Sequence, residues 1–100
     1  MENNQPFVIC RCTAAGVHAG FLVSRNGNEV TLRDSRRLHY WRVPMGAPAF
    51  LSGVAVAGLD NESRIGCPIN VTLTEVCEII ECTDVAAKSI QEIASHDRSR

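Results

Sequence analysis

The feature that most constrains the fold of this chain is the Asn-Gly pair at Asn26-Gly27, between two segments that suit β-strands. Asn-Gly readily adopts the positive φ angles of a two-residue hairpin turn, whose twist matches that of the strands it joins. Before the pair, residues 17–24 alternate loosely between apolar and polar side chains. After it, residues 29–33 are rich in β-branched and apolar side chains. The sequence therefore predicts a β-hairpin made of these two segments.

Further strands are predicted on both sides of the hairpin. Residues 7–13 are β-rich and indicate a first strand. A short turn is expected at Asp34-Ser35, followed by a fourth strand over residues 36–43 that Pro44 ends. The long β-branched segment 71–82 indicates a fifth strand. Together these segments predict an antiparallel sheet of about five strands.

Two short helices complete the predicted secondary structure. One is expected over residues 49–57, with Gly58 where a C-terminal cap belongs. The other is expected over residues 85–93, after Thr83 as a plausible N-cap. The polar, turn-rich segment 59–68 between them predicts an exposed loop.

The length of 100 residues fits one domain, so we predict a single α+β domain over residues 1–100. A domain of this size buries only a modest share of its surface, which favours a homo-oligomer. No apolar run is long enough for a membrane span. The polar stretch Met1–Pro6 has none of the features of a signal peptide, so a cytoplasmic location is expected.

Charge is unevenly distributed along the chain, although the formal net charge is only -1. Residues 25–42 contain five arginines against Glu29 and Asp34, whereas residues 75–92 contain five acids against Lys88. Long nucleic acid requires an extended basic surface, which this composition does not supply. A local basic patch suits a small anionic ligand better.

The basic cluster includes the segment Arg36–Arg42, in which the only tyrosine and the only tryptophan are adjacent. Aromatic rings stack on bases, and guanidinium groups bind phosphate in a bidentate manner. Since side chains alternate along a strand, the segment has two rows. One row comprises Arg36, Leu38 and Tyr40, and we expect Leu38 and Tyr40 to point to the core. The opposite row comprises Arg37, His39 and Trp41.

This opposite row has two interpretations. Trp41 could stack a base while Arg37 holds phosphate. Alternatively, Trp41 could pack at a subunit interface, where tryptophan and arginine are enriched. The two interpretations are compatible if a ligand binds where protomers meet.

A second candidate segment, Ala14–Gly20, places small residues around His18. Small residues let a ligand approach the backbone, and exposed N–H groups of such a segment form anion-binding nests. The simpler interpretation is a β-turn in which Gly16 supplies a positive φ angle.

Neither a metal site nor catalysis is predicted. The histidines lack metal-binding spacing, and no nucleophile motif or phosphate-binding glycine motif occurs. The number of cysteines is odd and their spacing does not supply paired zinc ligands, so we expect reduced, mainly packing thiols. These cysteines are Cys10, Cys12, Cys67, Cys77 and Cys82. We therefore expect a non-enzymatic protein with no cofactor and no metal.

Three blocks in this order resemble a family of small phage proteins: residues 15–20, residues 26–32 leading to 36–41, and residues 73–83. The set resembles the first-described Thoeris anti-defence family, whose members are called sponges. Those proteins sequester cyclic ADP-ribose isomers made by bacterial TIR-domain enzymes. Some members also hold cyclic oligonucleotides of a second immune system, CBASS. This chain departs from the family pattern at residues 42–48, where a lysine-glycine turn and a threonine would be expected.

The resemblance implies a phage-encoded homo-oligomer, a dimer or a larger assembly such as a hexamer, acting in the host bacterial cytoplasm. It would bind a cyclic nucleotide between protomers without cleaving it. The arginines would pair with phosphates, an aromatic ring would stack a base, and the segment around His18 would line the wall. The implied ligand-binding residues are Ala15, Gly16, Val17, His18, Arg36, Arg37, Tyr40 and Trp41. The alternatives are an interaction module that oligomerises through the Arg-aromatic strand without a small ligand, and a nucleotide-cleaving enzyme.

Overall fold

The computed structural model describes residues 5–48 and 50–96. The strands are β1 (Phe7–Cys12), β2 (Val17–Asn26), β3 (Glu29–Tyr40), β4 (Arg64–Ile65), β5 (Ile69–Leu73) and β6 (Val76–Glu81). The helices are α1 (Leu51–Ala57) and α2 (Asp84–Glu92). Ala49, the first residue of the predicted first helix, lies outside the described residues. No helix in the described ranges is long and apolar enough to cross a membrane.

The strands form one antiparallel sheet in the order β4-β3-β2-β1-β6, with β5 also pairing with β3. The predicted hairpin is confirmed: Asn26 pairs with Glu29, and Gly27 has a φ angle of 62°. The two residues between the paired positions are therefore Gly27 and Asn28. With two helices added to this sheet, the predicted α+β class is confirmed.

The turn predicted at Asp34-Ser35 is wrong, because β3 continues through it to Tyr40. Asp34 has a φ angle of 53°, and the registers of β3 with β2 and β5 both shift nearby. The chain thus absorbs the positive φ angle in a bulge, without reversing direction. As a result, the predicted third and fourth strands are one strand of 12 residues, the longest in the sheet.

The predicted fifth strand is also different in the structure, because it is divided into β5 and β6 by Thr74 and Glu75. β5 pairs with β3, whereas β6 pairs with β1. The continuous segment β5–β6 therefore links β3 to β1, which lie on opposite sides of β2. As a result, the sheet curls around an apolar interior. That interior core contains Val8, Cys10, Cys12, Val30, Leu32, Leu73 and Val76.

The other side of the sheet is covered by the helices and forms a second core, which we call the helix-side core. Its buried residues are Phe7, Ile9, Val17, Ala19, Leu38, Val54, Ala55, Leu59, Ile65 and Ile90. Both predicted helix caps are confirmed. Gly58 has a φ angle of 86° and donates its N–H to the Val54 carbonyl, while the Thr83 hydroxyl accepts from the Ala86 N–H.

The segment 59–68, predicted as an exposed loop, is partly buried. Leu59 and Ser63 are buried, and Ile65 of β4 is fully enclosed in the helix-side core. This segment packs because Ile65 pairs with Leu38 at the end of β3. Its polar composition hid two apolar positions, Leu59 and Ile65, that belong to the helix-side core.

Candidate functional site

The two adjacent arginines of β3 lie in different environments, as strand alternation requires. Arg36 is only 3 % exposed and shares a face with Leu38. Arg37 is exposed and lies on the opposite face. The structure therefore does not bring the two guanidinium groups together.

Arg36 is bound to the protein through its whole guanidinium group. Its Nε donates to the Gly66 carbonyl at 2.8 Å, and its Nη1 donates to the carbonyls of Ile90 at 3.0 Å and Ile93 at 2.5 Å. Its Nη2 donates to the Ser95 hydroxyl at 3.0 Å. Arg36 thus satisfies carbonyl groups at the end of α2, which the helix itself leaves without donors.

Arg37 is attached to the turn between β1 and β2. Its Nη2 donates to the Ala15 carbonyl oxygen at 2.7 Å. Nε2 of His18 lies 2.9 Å from the same oxygen and, because a carbonyl only accepts, carries the proton. A Cβ atom on Gly16 would lie 3.6 Å from Arg37 Nη2. The turn therefore packs directly against the guanidinium group, without a side chain at Gly16 between them.

The turn also offers unused hydrogen-bond donors. Within the described part of the chain, the backbone N–H groups of Ala14, Ala15 and Gly16 have no acceptor. Gly16 has a φ angle of 87°, and Ala15 before it has a negative one. Successive amides with φ angles of opposite sign are typical of anion-binding nests. The Arg37 guanidinium and these amides together form a cationic, donor-rich surface that we call the Arg37 site.

His18 contributes to this site in its neutral form. Burial lowers the pKa of its imidazole below the ordinary 6.5, and the nearby charges of Arg37 and His39 lower it further. The hydrogen bond to Ala15 acts in the opposite direction. A neutral His18 with its proton fixed on Nε2 holds the turn in place without adding charge. Val17, the first residue of β2 after the turn, is buried in the helix-side core and so anchors that end of the turn.

The two aromatic residues are placed differently from the prediction. Tyr40, expected in the core, is 50 % exposed, while Trp41 is half-buried and packs against the helix-side core. The register of β3 with β4 shifts between Leu38 and Tyr40. Because Leu38 and Trp41 both contact that core, the two residues between them are turned outward. The predicted orientation of Tyr40 is therefore wrong, and the predicted row of Arg37, His39 and Trp41 is broken at Trp41.

Tyr40 lines a shallow groove of about 340 Å³ together with Arg42, Glu62 and Arg64. We call it the Tyr40 groove. Arg64 pairs with Tyr40 across the two strands, and Arg42 Nε forms an ion pair with Asp60 Oδ2 at 3.0 Å. Arg64 is absent from the sequence-predicted site, because residues 59–68 were expected to form a loop. The sequence offers no clear signal for this strand, because Ser63 and Arg64 are both polar and the alternation of buried Ser63, exposed Arg64 and buried Ile65 is visible only in the structure.

The comparisons with known proteins concern the whole domain. Residues 5–90 match a family described as a domain of unknown function (DUF6948). The chain belongs to this family. Comparison with curated proteins and comparison with solved structures gave no match.

Three cysteines of this DUF6948 chain, Cys10, Cys12 and Cys82, lie in or against the cores, whereas Cys67 and Cys77 are exposed. Cys10 and Cys12 are both buried in the interior core. Burial raises the pKa of the Cys10 thiol to about 11 and that of Cys82 to about 12. Thiols of this kind stay protonated and are poor nucleophiles near neutral pH. Over residues 5–48 and 50–96, no three His, Cys, Asp or Glu side chains converge as metal ligands would.

A larger cleft of the DUF6948 domain than the Tyr40 groove, about 590 Å³, lies elsewhere and contains none of the sequence-predicted site residues. It lies between the β2-β3 hairpin and the bend before β6, with Arg25, Glu75 and Glu78 in its wall. Glu78 is already paired with Arg11 at 2.7 Å. Its acidic wall makes this cleft a poorer place for an anion than the Arg37 site.

Proposed function

We propose that this protein binds a small cyclic nucleotide and sequesters it without cleaving it. The ligand would be a cyclic ADP-ribose isomer or a cyclic oligonucleotide that acts as a bacterial immune signal. Binding would lower the concentration of free signal and so inhibit antiphage defence. The observation that carries the proposal is the Arg37 site, in which an exposed guanidinium group lies beside a turn with three unused amides.

The chemistry of the Arg37 site favours a phosphate-bearing ligand of limited size. One Nη2 donor of Arg37 is used by Ala15, and none of the described carboxylates forms an ion pair with Arg37. The remaining guanidinium donors are available for the charge-assisted bonds that arginine forms with phosphate, worth roughly 1.5–3 kcal/mol each. Because the chain as a whole carries a charge of -1, this attraction is local.

The groups of the Arg37 site support binding of the ligand without cleavage. Arg37 and the turn amides are donors that bind an anion, and His18 is committed to the Ala15 carbonyl. The resemblance to the Thoeris anti-defence family supports the same function. Its implications for assembly and place, a homo-oligomer in the host bacterial cytoplasm, form part of the proposal.

The proposal is tested by incubating the protein with cyclic ADP-ribose isomers and with cyclic di- and trinucleotides. Calorimetry measures binding, and mass spectrometry of the ligand released by heating shows whether it is intact. We expect tight binding of at least one of these ligands and its recovery unchanged. A chemically altered ligand would indicate an enzyme instead. Lack of binding by the folded, assembled protein would exclude a sponge for these signals.

Arg37 gives the sharper test of the site. Arg37→Ala should weaken binding by roughly ten-fold or more, because it removes a charge-assisted hydrogen bond to phosphate. Arg37→Lys keeps the charge and loses the bidentate geometry, so an intermediate loss is expected. The matched control is Arg25→Ala, which removes an exposed arginine near the distant β2-β3 hairpin. Equal affinity of Arg37→Ala and Arg25→Ala would place the ligand elsewhere.

The second candidate function, an interaction module, is favoured by exposed apolar side chains in the segment that follows β3 and in α1. Met45 is fully exposed, Phe50 is 78 % exposed and Val56 is 54 % exposed. Apolar groups of this kind commonly mark protein contacts. Light scattering of Phe50→Ser and of the wild type compares their assembly. An assembly that depends on Phe50, in a protein that binds none of the nucleotides, would favour this second function.

A further inference from the structure

We propose that the Tyr40 groove binds the base of the nucleotide whose phosphates lie at the Arg37 site, so that Tyr40 and Arg64 select base-bearing ligands. This inference rests on the proposed function and extends it. The phosphates of the ligand would bind at Arg37 and its base at Tyr40, two nearby positions of β3. It also adds Arg64, which is not among the sequence-predicted site residues, to the binding surface.

The ring of Tyr40 is available for stacking because of the irregularity at the end of β3. Leu38 and Trp41 both pack on the helix-side core, and Tyr40 between them is 50 % exposed. Its neighbour Trp41 is half-buried and packs on that core. Among the described aromatic residues of the Arg-aromatic segment, Tyr40 therefore presents the more exposed ring. Bases of every kind stack on such a ring.

Arg64 lies opposite Tyr40 on β4 and lines the same groove. Within the described ranges, no hydrogen bond or ion pair occupies its side chain. Arg42 differs, because its guanidinium is paired with Asp60. A planar guanidinium group stacks on an aromatic ring as well as binding anions. Arg64 can thus cover a base that rests on Tyr40.

The charges of the two surfaces determine which end of the ligand each one takes. Glu62 and Arg64 bring opposite charges to the Tyr40 groove, which therefore attracts phosphate less than the Arg37 site does, and the Glu62 carboxylate can accept hydrogen bonds from the amino groups of a base. No carboxylate is paired with Arg37 in the described structure. Phosphate is therefore favoured at Arg37 and the base at Tyr40. Three strand positions separate these residues, about 10 Å, a span that suits a nucleoside diphosphate.

The test compares two probes that differ in whether they carry a base. One is the cyclic ADP-ribose isomer or cyclic dinucleotide that binds the wild type most tightly, and the other is inorganic pyrophosphate. Tyr40→Ala should weaken binding of the nucleotide by roughly ten-fold and leave pyrophosphate binding unchanged. Tyr40→Phe should bind both probes as the wild type does, because the ring remains. Arg64→Ala should follow Tyr40→Ala, whereas Arg25→Ala serves as the control arginine variant.

The possible outcomes separate this inference from the proposed function. If the wild type binds the nucleotide and Tyr40→Ala binds it equally well, the base subsite is wrong and the sponge proposal stands. If the wild type binds neither probe, both fail. If Tyr40→Ala loses both probes while its thermal unfolding is unchanged, Tyr40 acts on the phosphates, and the assigned orientation of the ligand is wrong.

Discussion

Arg37 and His18 are cross-strand neighbours that share one acceptor, the carbonyl oxygen of Ala15. The two donor nitrogens lie 2.7 and 2.9 Å from this oxygen. Two bonds from adjacent strands fix the position of a turn that is otherwise held mainly at its ends. The turn's unused amides are thereby preorganised, which reduces the ordering cost of binding an anion.

The lowered pKa of His18 predicts a pH dependence of stability. Burial is the main cause, and Arg37 and His39 add to it. The unfolded chain, with His18 at about 6.5, binds a proton more readily than the folded chain. Stability is therefore fully present above this value, falls as the pH drops below it, and levels off once folded His18 is also protonated. Thermal unfolding measured between about pH 8 and pH 5 should show this loss.

His18→Gln provides the control for the pH effect. Glutamine has an amide N–H that can reach the Ala15 carbonyl, and it does not titrate. The variant should therefore lose less stability than the wild type between neutral and mildly acidic pH. If the stability of both proteins falls equally as the pH drops, the acid sensitivity comes from other groups.

Because of the backbone conformation of Gly16, we expect its replacement to affect both stability and nucleotide binding. Its φ angle of 87° is unfavourable for a residue with a Cβ, although the added atom would only touch Arg37 at ordinary contact distance. Gly16→Ala should therefore lower the free energy of unfolding by about 1–2 kcal/mol, mainly through backbone strain. It should also weaken nucleotide binding, because relaxation of the turn moves the amides.

Gly27→Ala is the matched variant for Gly16→Ala. Gly27 also has a positive φ angle, 62°, and a Cβ there would meet nothing within 4 Å. We expect a similar loss of stability in chemical denaturation and no change in calorimetric binding. If both variants weaken binding equally, the effect comes from general destabilisation and the turn has no special role.

The fold could be predicted where a short-range rule decides it. The hairpin was predicted from Asn26-Gly27, although its two turn residues are Gly27 and Asn28, and Thr83 and Gly58 correctly marked the helix ends, because each acts through its own backbone or the next turn. Asp34 misled the prediction, since a residue with a positive φ angle fits a turn or a bulge. The long pairing between β2 and β3 selects the bulge. That pairing is a tertiary property that no local pattern records.

The candidate site was predictable only in part, for a similar reason. The alternation of side chains along a strand correctly predicted that Arg36 and Arg37 lie on opposite faces. It could not predict that carbonyls at the end of α2 accept hydrogen bonds from Arg36. It also failed beyond Leu38, where one irregular position turns Tyr40 outward. Arg64 joins the surface only because Ile65 is drawn into the helix-side core. These outcomes depend on contacts between distant segments.

Arg36 predicts a large effect on stability. Arg36→Ala removes a nearly buried guanidinium and leaves the carbonyls of Gly66, Ile90 and Ile93 without their donor. We expect the free energy of unfolding to fall by about 3 kcal/mol or more in urea denaturation. Arg36→Lys should recover part of this loss, while Arg25→Ala should stay within about 0.5 kcal/mol of the wild type. A small effect of Arg36→Ala would show that water replaces the guanidinium easily.

The hydrogen bonds of Thr83 connect the two helices, so we expect replacement of Thr83 to lower the free energy of unfolding. Its hydroxyl accepts from the Ala86 N–H at 3.1 Å and donates to the Val56 carbonyl at 2.7 Å. Thr83→Ala removes the N-cap of α2 and a bond to the end of α1, so the free energy of unfolding should fall by about 1–2 kcal/mol. Thr83→Ser keeps the hydroxyl and should retain most of this stability. Exposed Thr74 is the control, and Thr74→Ala unfolding as early as Thr83→Ala would contradict the capping role.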